Sequence, residues 1–245
     1  MGRRRLGFWQ WLAVVLVKPV MTIWTRRTWR GMEHLGTEGP MIIVANHMSH
    51  ADPLVAAHFI YDSGRWPQFL GKASVFKVPV IGWILHRCKQ IPVERGTVDA
   101  AKSLDALIKA LGEGDAVIIY PEGTITREPD LWPMKGKTGA ARLALATGAP
   151  VVPVVMWGPE RIFDPHRSRL NLRPRIPVTV VAGPPIDLSQ WAGAAPSRAV
   201  LEEMTDVIML RLRDMLAEIR GGTPPPLWQR GGRTNIEQRR PEATA

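Results

Sequence analysis

The stretch Met41-Ile42-Ile43-Val44-Ala45-Asn46-His47-Met48-Ser49-His50-Ala51-Asp52-Pro53 decides the fold. Its first five residues form an unbroken apolar run, the pattern of a strand buried on both faces. Asp52-Pro53 opens a helix expected over residues 53–61, with Asp52 as N-cap and Pro53 at the first helical position. A histidine therefore stands where a strand ends, and an acid stands where a helix begins. One reading is purely architectural: a capping aspartate and a loop histidine. The other gives Asp52 a second task. A carboxylate at a helix N-terminus is favoured in its ionised form. It can hold one ring nitrogen of His47 so that the other nitrogen takes a proton from a hydroxyl.

Outward from this stretch the chain alternates. Apolar runs predict strands at 41–45, 67–71, 90–93, 115–120, 150–155 and 176–182. Helical spacing predicts helices at 53–61, 78–87, 98–112, 136–147 and 197–219. Leu201, Met204, Ile208, Leu212, Met215 and Ile219 form the apolar stripe of a core-facing helix. Val152-Pro153-Val154 is an apolar strand interrupted by proline, which suggests an edge or a bend. Alternating elements predict an α/β fold, a mostly parallel mixed sheet covered by helices. In such a sheet the site lies outside the carboxyl ends of the strands, where His47 falls.

The sequence has 245 residues and a net charge of +10. The length suits one α/β domain. Cys88 is the only cysteine, which excludes an intrachain disulfide and fits a reducing compartment. The positive charge points to a polyanionic partner: nucleic acid, an anionic lipid surface or a phosphorylated substrate. No helix-turn-helix, RNA-recognition, KH or zinc-finger pattern is present, so no nucleic-acid partner is expected. The first 40 residues join Arg3, Arg4, Arg5, Lys18, Arg26, Arg27 and Arg30 with Trp9, Trp11, Trp24 and Trp29 around the apolar run 11–17. That mixture is the composition of a membrane interface. The run is too short to span a bilayer and lacks a signal cleavage site. Residues 5–32 are therefore expected to form one or two helices, broken near Pro19, lying in or against a bilayer face; the alternative is an amphipathic helix pair packed on the α/β domain. The chain divides into an N-terminal membrane-associating segment (1–35), an α/β domain (36–220) and a basic tail (221–245) expected to be disordered.

Three further stretches could carry chemistry. Tyr120-Pro121-Glu122-Gly123-Thr124 ends a strand in a tight loop whose N–H groups and hydroxyl suit an anion. Glu122 there could orient a substrate hydroxyl or lock the loop. Lys135-Gly136-Lys137-Thr138-Gly139 is a basic loop opening a helix, and helix N-termini bind anions. It lacks the spacing of a nucleotide phosphate loop. Ile91-Pro92-Val93-Glu94-Arg95-Gly96 brings Arg95 to the same sheet edge, and Lys72 is placed similarly after Phe69-Leu70-Gly71.

Together these pieces resemble the glycerolipid acyltransferases, in particular the 1-acylglycerol-3-phosphate (lysophosphatidic acid) acyltransferases. Four blocks match in the family's order. They are Asn46–Asp52 with its His-x4-Asp pair, Ile91–Gly96 with Arg95, Tyr120–Thr124 (usually begun by Phe), and Val152-Pro153-Val154. The third block departs from the family pattern, since Ile125-Thr126 intervene before Arg127. The resemblance implies direct transfer of an acyl group from acyl-CoA or acyl carrier protein to a lysophospholipid hydroxyl, without metal or cofactor. It implies His47 as general base, Asp52 as its partner, and Arg95, Glu122, Gly123 and Thr124 around the acceptor's phosphate, with Lys72 or Lys137 in support. The expected place is the cytoplasmic face of the cell membrane, peripheral or monotopic. Glycerol 3-phosphate or a glycolipid are alternative acceptors. A metal-dependent hydrolase using His47, His50 and Asp52, and a basic membrane-surface adaptor, are the competing classes.

Overall fold

The computed structural model describes residues 6–36, 38–93 and 99–229; the side chains of Lys72 and residues 99–102 lie outside that description. In chain order the elements are α1 (Phe8–Trp24), β1 (Thr25–Arg30), β2 (Met41–Ala45), α2 (Asp52–Asp62), β3 (Gln68–Lys72), α3 (Ala73–Phe76), α4 (Ile81–Arg87), β4 (Ile91–Val93), α5 (Asp99–Gly112), β5 (Ala116–Ile119), α6 (Gly139–Thr147), β6 (Val151–Trp157), β7 (Phe163–Asp164), β8 (Arg169–Leu170), β9 (Ile176–Ala182) and α7 (Arg198–Arg220).

Seven strands make one sheet in the order β1-β9-β6-β2-β5-β3-β4, and β7 and β8 form a separate hairpin. Every neighbouring pair in the large sheet is parallel except β6 and β9. The expected mostly parallel mixed sheet is what forms. Strand β2 explains why: all five of its residues are buried, and its alternate side chains feed opposite cores. Ile42 and Val44 pack with α5, α6 and α7, while Met41, Ile43 and Ala45 pack with α1 and α2. A strand that is apolar on both faces can rest only in a sheet covered on both sides.

The N-terminal segment departs from expectation. Helix α1 runs unbroken through Pro19, and residues 25–30 are strand β1, not helix. Proline removes the bond to the Val15 carbonyl. Both Val15 and Pro19 are exposed, so the lost bond falls on the outer side of α1. Strand β1 pairs in parallel with β9 from Thr25↔Ile176 to Arg30↔Val181, so the segment completes the sheet. Helix α1 is fixed at its root. Lys18 Nζ meets Asp62 Oδ1 at 2.7 Å, and Trp29 Nε1 donates to Asp62 Oδ2 at 3.1 Å. Among the described residues, no helix is long and apolar enough to cross a membrane.

Two smaller corrections follow. Pro153 is in an internal strand, between β9 and β2. Its carbonyl accepts from Gly183 N at 2.9 Å, so its missing N–H also faces β9, where the ladder begins only at Val154. The tail does not leave the domain at residue 221. Trp228 bridges to Met134, and its carbonyl accepts from Lys135 N at 2.9 Å. Residues 230–245 lie outside the described residues.

Gly31 closes β1 at φ +71°, and a Cβ there would stand 1.9 Å from the Ala182 carbonyl oxygen. Gly31→Ala should therefore destabilise the fold by roughly 2–4 kcal/mol in chemical denaturation. Gly39→Ala, with φ +97° and nothing within 4 Å of its Cβ, should lose only about 1 kcal/mol.

Candidate active site

His47 lies two residues beyond the end of β2, where Asn46 sets the exit of the chain. The Asn46 side chain accepts from Met156 N at 2.8 Å and donates to Met156 O at 3.1 Å, clamping the end of β2 to β6. The backbone of His47 is then held on both sides. Its N–H donates to Glu122 Oε1 at 2.9 Å, and its carbonyl accepts from Thr126 N at 2.7 Å.

The side chain meets Asp52, with His47 Nδ1 2.8 Å from Asp52 Oδ2. That oxygen also accepts from Met48 N at 2.6 Å and Ser49 N at 2.8 Å. Asp52 is in the first helical turn, with Ala51 as N-cap, and its side chain holds the preceding loop instead of capping the helix. Burial pushes its carboxyl up, against the pull of the His47 hydrogen bond and charge and of the two backbone donors. Three donors converging on Oδ2 leave that oxygen no proton to give, so in the neutral imidazole Nδ1 carries the hydrogen and Nε2 the lone pair. The ring stacks on Tyr120 at 4.2 Å with an interplanar angle of 22°. Burial, with the Asp52 charge added, drives the Tyr120 phenol well above its ordinary range, so it remains a neutral platform.

Glu122 locks the loop. Oε1 takes the His47 N–H and Oε2 takes the Met134 N–H at 3.2 Å. It is 2% exposed and does not border the cavity. Loss of water outweighs the two backbone donors and raises its pKa to about 8. Of its two expected roles, the geometry gives it the structural one.

His47 opens on a cavity of about 1100 Å³. Its walls are mostly apolar: Val14 and Val17 of α1, Leu54 and Ala57 of α2, Phe69 and Leu70 of β3, Val75 and Phe76 of α3, Ile84 and Leu85 of α4, and Leu104 and Leu107 of α5. Polar groups enter at several points: Gly123, Lys137 and Thr138 on the loops beside His47 and Arg142 on α6, with Lys18 of α1, His58 and Tyr61 of α2, and Gln90 and Ser103 elsewhere in the lining. Gly123 sits at φ +69°, with the Lys137 side chain 3.0–3.1 Å from where a Cβ would be. The turn thus lets a cation lie across it, at the start of α6.

The expected site residues divide accordingly. His47, Asp52, Gly123 and Lys137 come together, and Glu122 supports them from behind. The Gly123 N–H is taken up by the Tyr120 carbonyl at 2.9 Å, and Thr124 does not border the cavity. Arg95 and the Lys72 side chain lie outside the described residues. Ser49 is fully buried and donates to the Phe163 carbonyl at 2.7 Å, which commits its hydroxyl to structure. His50 meets the Phe163 ring edge-on at 5.3 Å. Among the described residues, no three His, Cys, Asp or Glu side chains converge on a metal-sized point. Arg142 is the residue that motif reading missed; its only sequence signal is a cation in the first turn of the helix after Lys137.

Comparison with known proteins identifies the family. Residues 26–157 match the acyltransferase family model. The chain is 33% identical over 139 residues to a chloroplastic 1-acyl-sn-glycerol-3-phosphate acyltransferase of Brassica napus, covering 55% of this chain and 38% of that protein. It is 34% identical over 118 residues to the lyso-ornithine lipid O-acyltransferase of Pseudomonas aeruginosa, covering 48% and 43%. These matches span less than half of either relative's own length. The fold is shared with the crystal structure of the 1-acyl-sn-glycerophosphate acyltransferase from Thermotoga maritima (TM-score 0.63, 21% identity, 88% of this chain and 81% of that one).

Glu122 generates a pH prediction. Its pKa is about 8 folded, against an ordinary 4.5. Between those values the native state holds a proton that the unfolded chain has lost, so its contribution to stability falls as pH rises through that window. Glu122→Gln should flatten the decline of melting temperature from pH 5 to pH 8, measured against wild type.

Proposed function

The chain belongs to the acyltransferase family, and from that premise we propose that it transfers a fatty acyl group from a thioester to the free hydroxyl of lysophosphatidic acid, giving phosphatidic acid. The observation that carries this reading is the His47–Asp52 pair opening on a large apolar cavity that also admits Lys137 and Arg142.

The pair supplies the base. With Nδ1–H held by Asp52, Nε2 takes the proton of the acceptor hydroxyl as its oxygen bonds to the thioester carbonyl carbon. Asp52 stabilises the imidazolium that results. The tetrahedral intermediate then expels the thiolate, and the imidazolium returns the proton to that sulfur. The cavity suits the hydrocarbon chain, because an apolar wall with few polar groups binds by burial and orients by the few. Lys137 and Arg142, at the start of α6, suit the acceptor's phosphate. Arg95, Lys72 and Thr124 remain proposed members of that cradle. A thioester is already activated, so the step asks for no metal. Both acyl-CoA and acyl carrier protein supply one.

The substrate is a membrane lipid, and α1 turns Phe8, Trp11, Leu16, Val20 and Ile23 outward. We therefore place the enzyme on one bilayer surface, its cytoplasmic face, as a peripheral or monotopic protein. The lyso-ornithine lipid relative suggests a second acceptor class lacking a phosphate monoester; the cations lining the cavity, Lys18, Lys137 and Arg142, favour the phosphorylated one.

The test uses purified protein in detergent, a labelled acyl thioester and three acceptors: lysophosphatidic acid, glycerol 3-phosphate and lyso-ornithine lipid. Labelled phosphatidic acid is the expected product, and its absence with every donor would defeat the assignment. His47→Ala should lower turnover on the order of 10²- to 10⁴-fold; near-normal turnover removes it as base. Lys137→Gln with Arg142→Gln should raise the lysophosphatidic acid KM by about tenfold or more while sparing kcat.

A further inference from the structure

The segment between β6 and β9 folds out as an arm that the acyl-transfer reading does not use. It exposes Arg161, Arg167, Arg169, Arg173 and Arg175. Arg161 faces Glu160 at 3.5 Å, and Arg167 reaches Asp164 at 4.0 Å. Arg169, Arg173 and Arg175 have no acidic partner among the described residues. Between them stand two aliphatic residues turned outward, Leu170 at 48% and Leu172 at 74% exposure. Arg175 is held at φ +61°, a left-handed conformation that glycine or asparagine occupies more readily.

The arm is tied to the end of α1. Trp24 Nε1 donates to the Asn171 carbonyl at 2.9 Å, and Arg175 N donates to the Ile23 carbonyl at 3.2 Å. Ile23 is itself 69% exposed, so the outward apolar face of α1 continues into the arm's leucines and arginines. At its other end the arm accepts the Ser49 hydroxyl on Phe163 O, two residues from His47. Guanidinium groups alternating with aliphatic side chains suit a bilayer boundary, where the cations meet phosphates and the leucines enter the acyl layer. A single-stranded nucleic-acid surface would set several aromatic rings among the cations for base stacking, and the arm's exposed residues include no Phe, Tyr or Trp and one imidazole, His166.

We propose that this arm is a headgroup-binding surface for anionic phospholipid, continuous with the apolar face of α1. It extends the bilayer reading of α1 and is tested apart from acyl transfer. The test is flotation of the full chain with vesicles of phosphatidylcholine alone, and of two parts phosphatidylcholine to one of phosphatidylglycerol, at low and high salt. Wild type should float with the anionic vesicles and release as salt rises. Arg169→Gln/Arg173→Gln/Arg175→Gln should weaken that binding roughly a hundredfold at low salt, from three lost headgroup contacts. Leu170→Ser/Leu172→Ser should weaken the residual binding at high salt. A variant losing the same charge elsewhere, Lys109→Gln/Lys135→Gln/Arg198→Gln, should lose only a few-fold. Arm and control variants that bind alike would overturn the proposal. So would an oligonucleotide that binds more tightly than the vesicles and is lost in the arm variant. Turnover on a short-chain acceptor below its micellar concentration should be unchanged in the arm variant, so failure of the transferase reading and failure of this one are separable.

Discussion

One oxygen atom organises the site. Asp52 Oδ2 gathers the His47 ring N–H and the Met48 and Ser49 backbone N–H groups at a position with no exposure to solvent. A carboxylate stripped of water depends on its donors; Asp52 meets all three at Oδ2 while its Oδ1 is buried without a partner among the described residues, and removing one donor worsens an uncompensated charge. The loop after β2 therefore has one low-energy shape. That shape fixes which ring nitrogen of His47 is protonated and turns the other toward the cavity. Everything else around the loop holds the same atom in place: Asn46 against Met156, Glu122 under the His47 N–H, Thr126 on its carbonyl and Tyr120 against its ring.

This dependence explains why Glu122 is buried. Its role is mechanical: it joins the His47 loop to the segment at Met134, which leads to Lys137. His47 and Lys137 reach the cavity from two separate loops. A buried bridge between those loops sets their spacing, which the proposed two-substrate transfer would use for orientation. Carrying a carboxyl where a neutral group would be easier to bury is the kind of local conflict that concentrates at functional sites.

The sheet was legible because its strands are apolar on both faces. Residues 41–45, 116–119 and 151–157 announce themselves by continuous hydrophobicity, and the His-x4-Asp spacing stood out because it followed one of them. Strand β1 was not legible. Thr25-Arg26-Arg27-Thr28-Trp29-Arg30 carries three arginines and shows no apolar alternation, since an edge strand needs only one covered face and benefits from charge on its rim. The same composition reads as membrane-interface helix when adjacent to an apolar run, and nothing local separates the two. Arg142 was hidden for another reason. A cation on a helix surface is usually solvated, and only the packing of α6 beside α5 and β2 brings this one to the cavity.

That misread strand changes how the N-terminal segment is understood. Were α1 an appended anchor, the cavity would be complete without it. Instead Val14 and Val17 form part of its wall, β1 continues directly into the sheet, and Lys18 and Trp29 share the carboxylate of Asp62 on the helix that Asp52 begins. One element thus presents an apolar face outward and an apolar wall inward, one helix diameter apart. A lipid acceptor has its reactive hydroxyl at headgroup depth and its chain below, so a route from bilayer to base must stay apolar along one side and carry cations at its end. On the proposed reading α1 supplies that side and the start of α6 supplies that end. The short outer helix is then not a tether for a separate enzyme but the wall across which the substrate changes solvent.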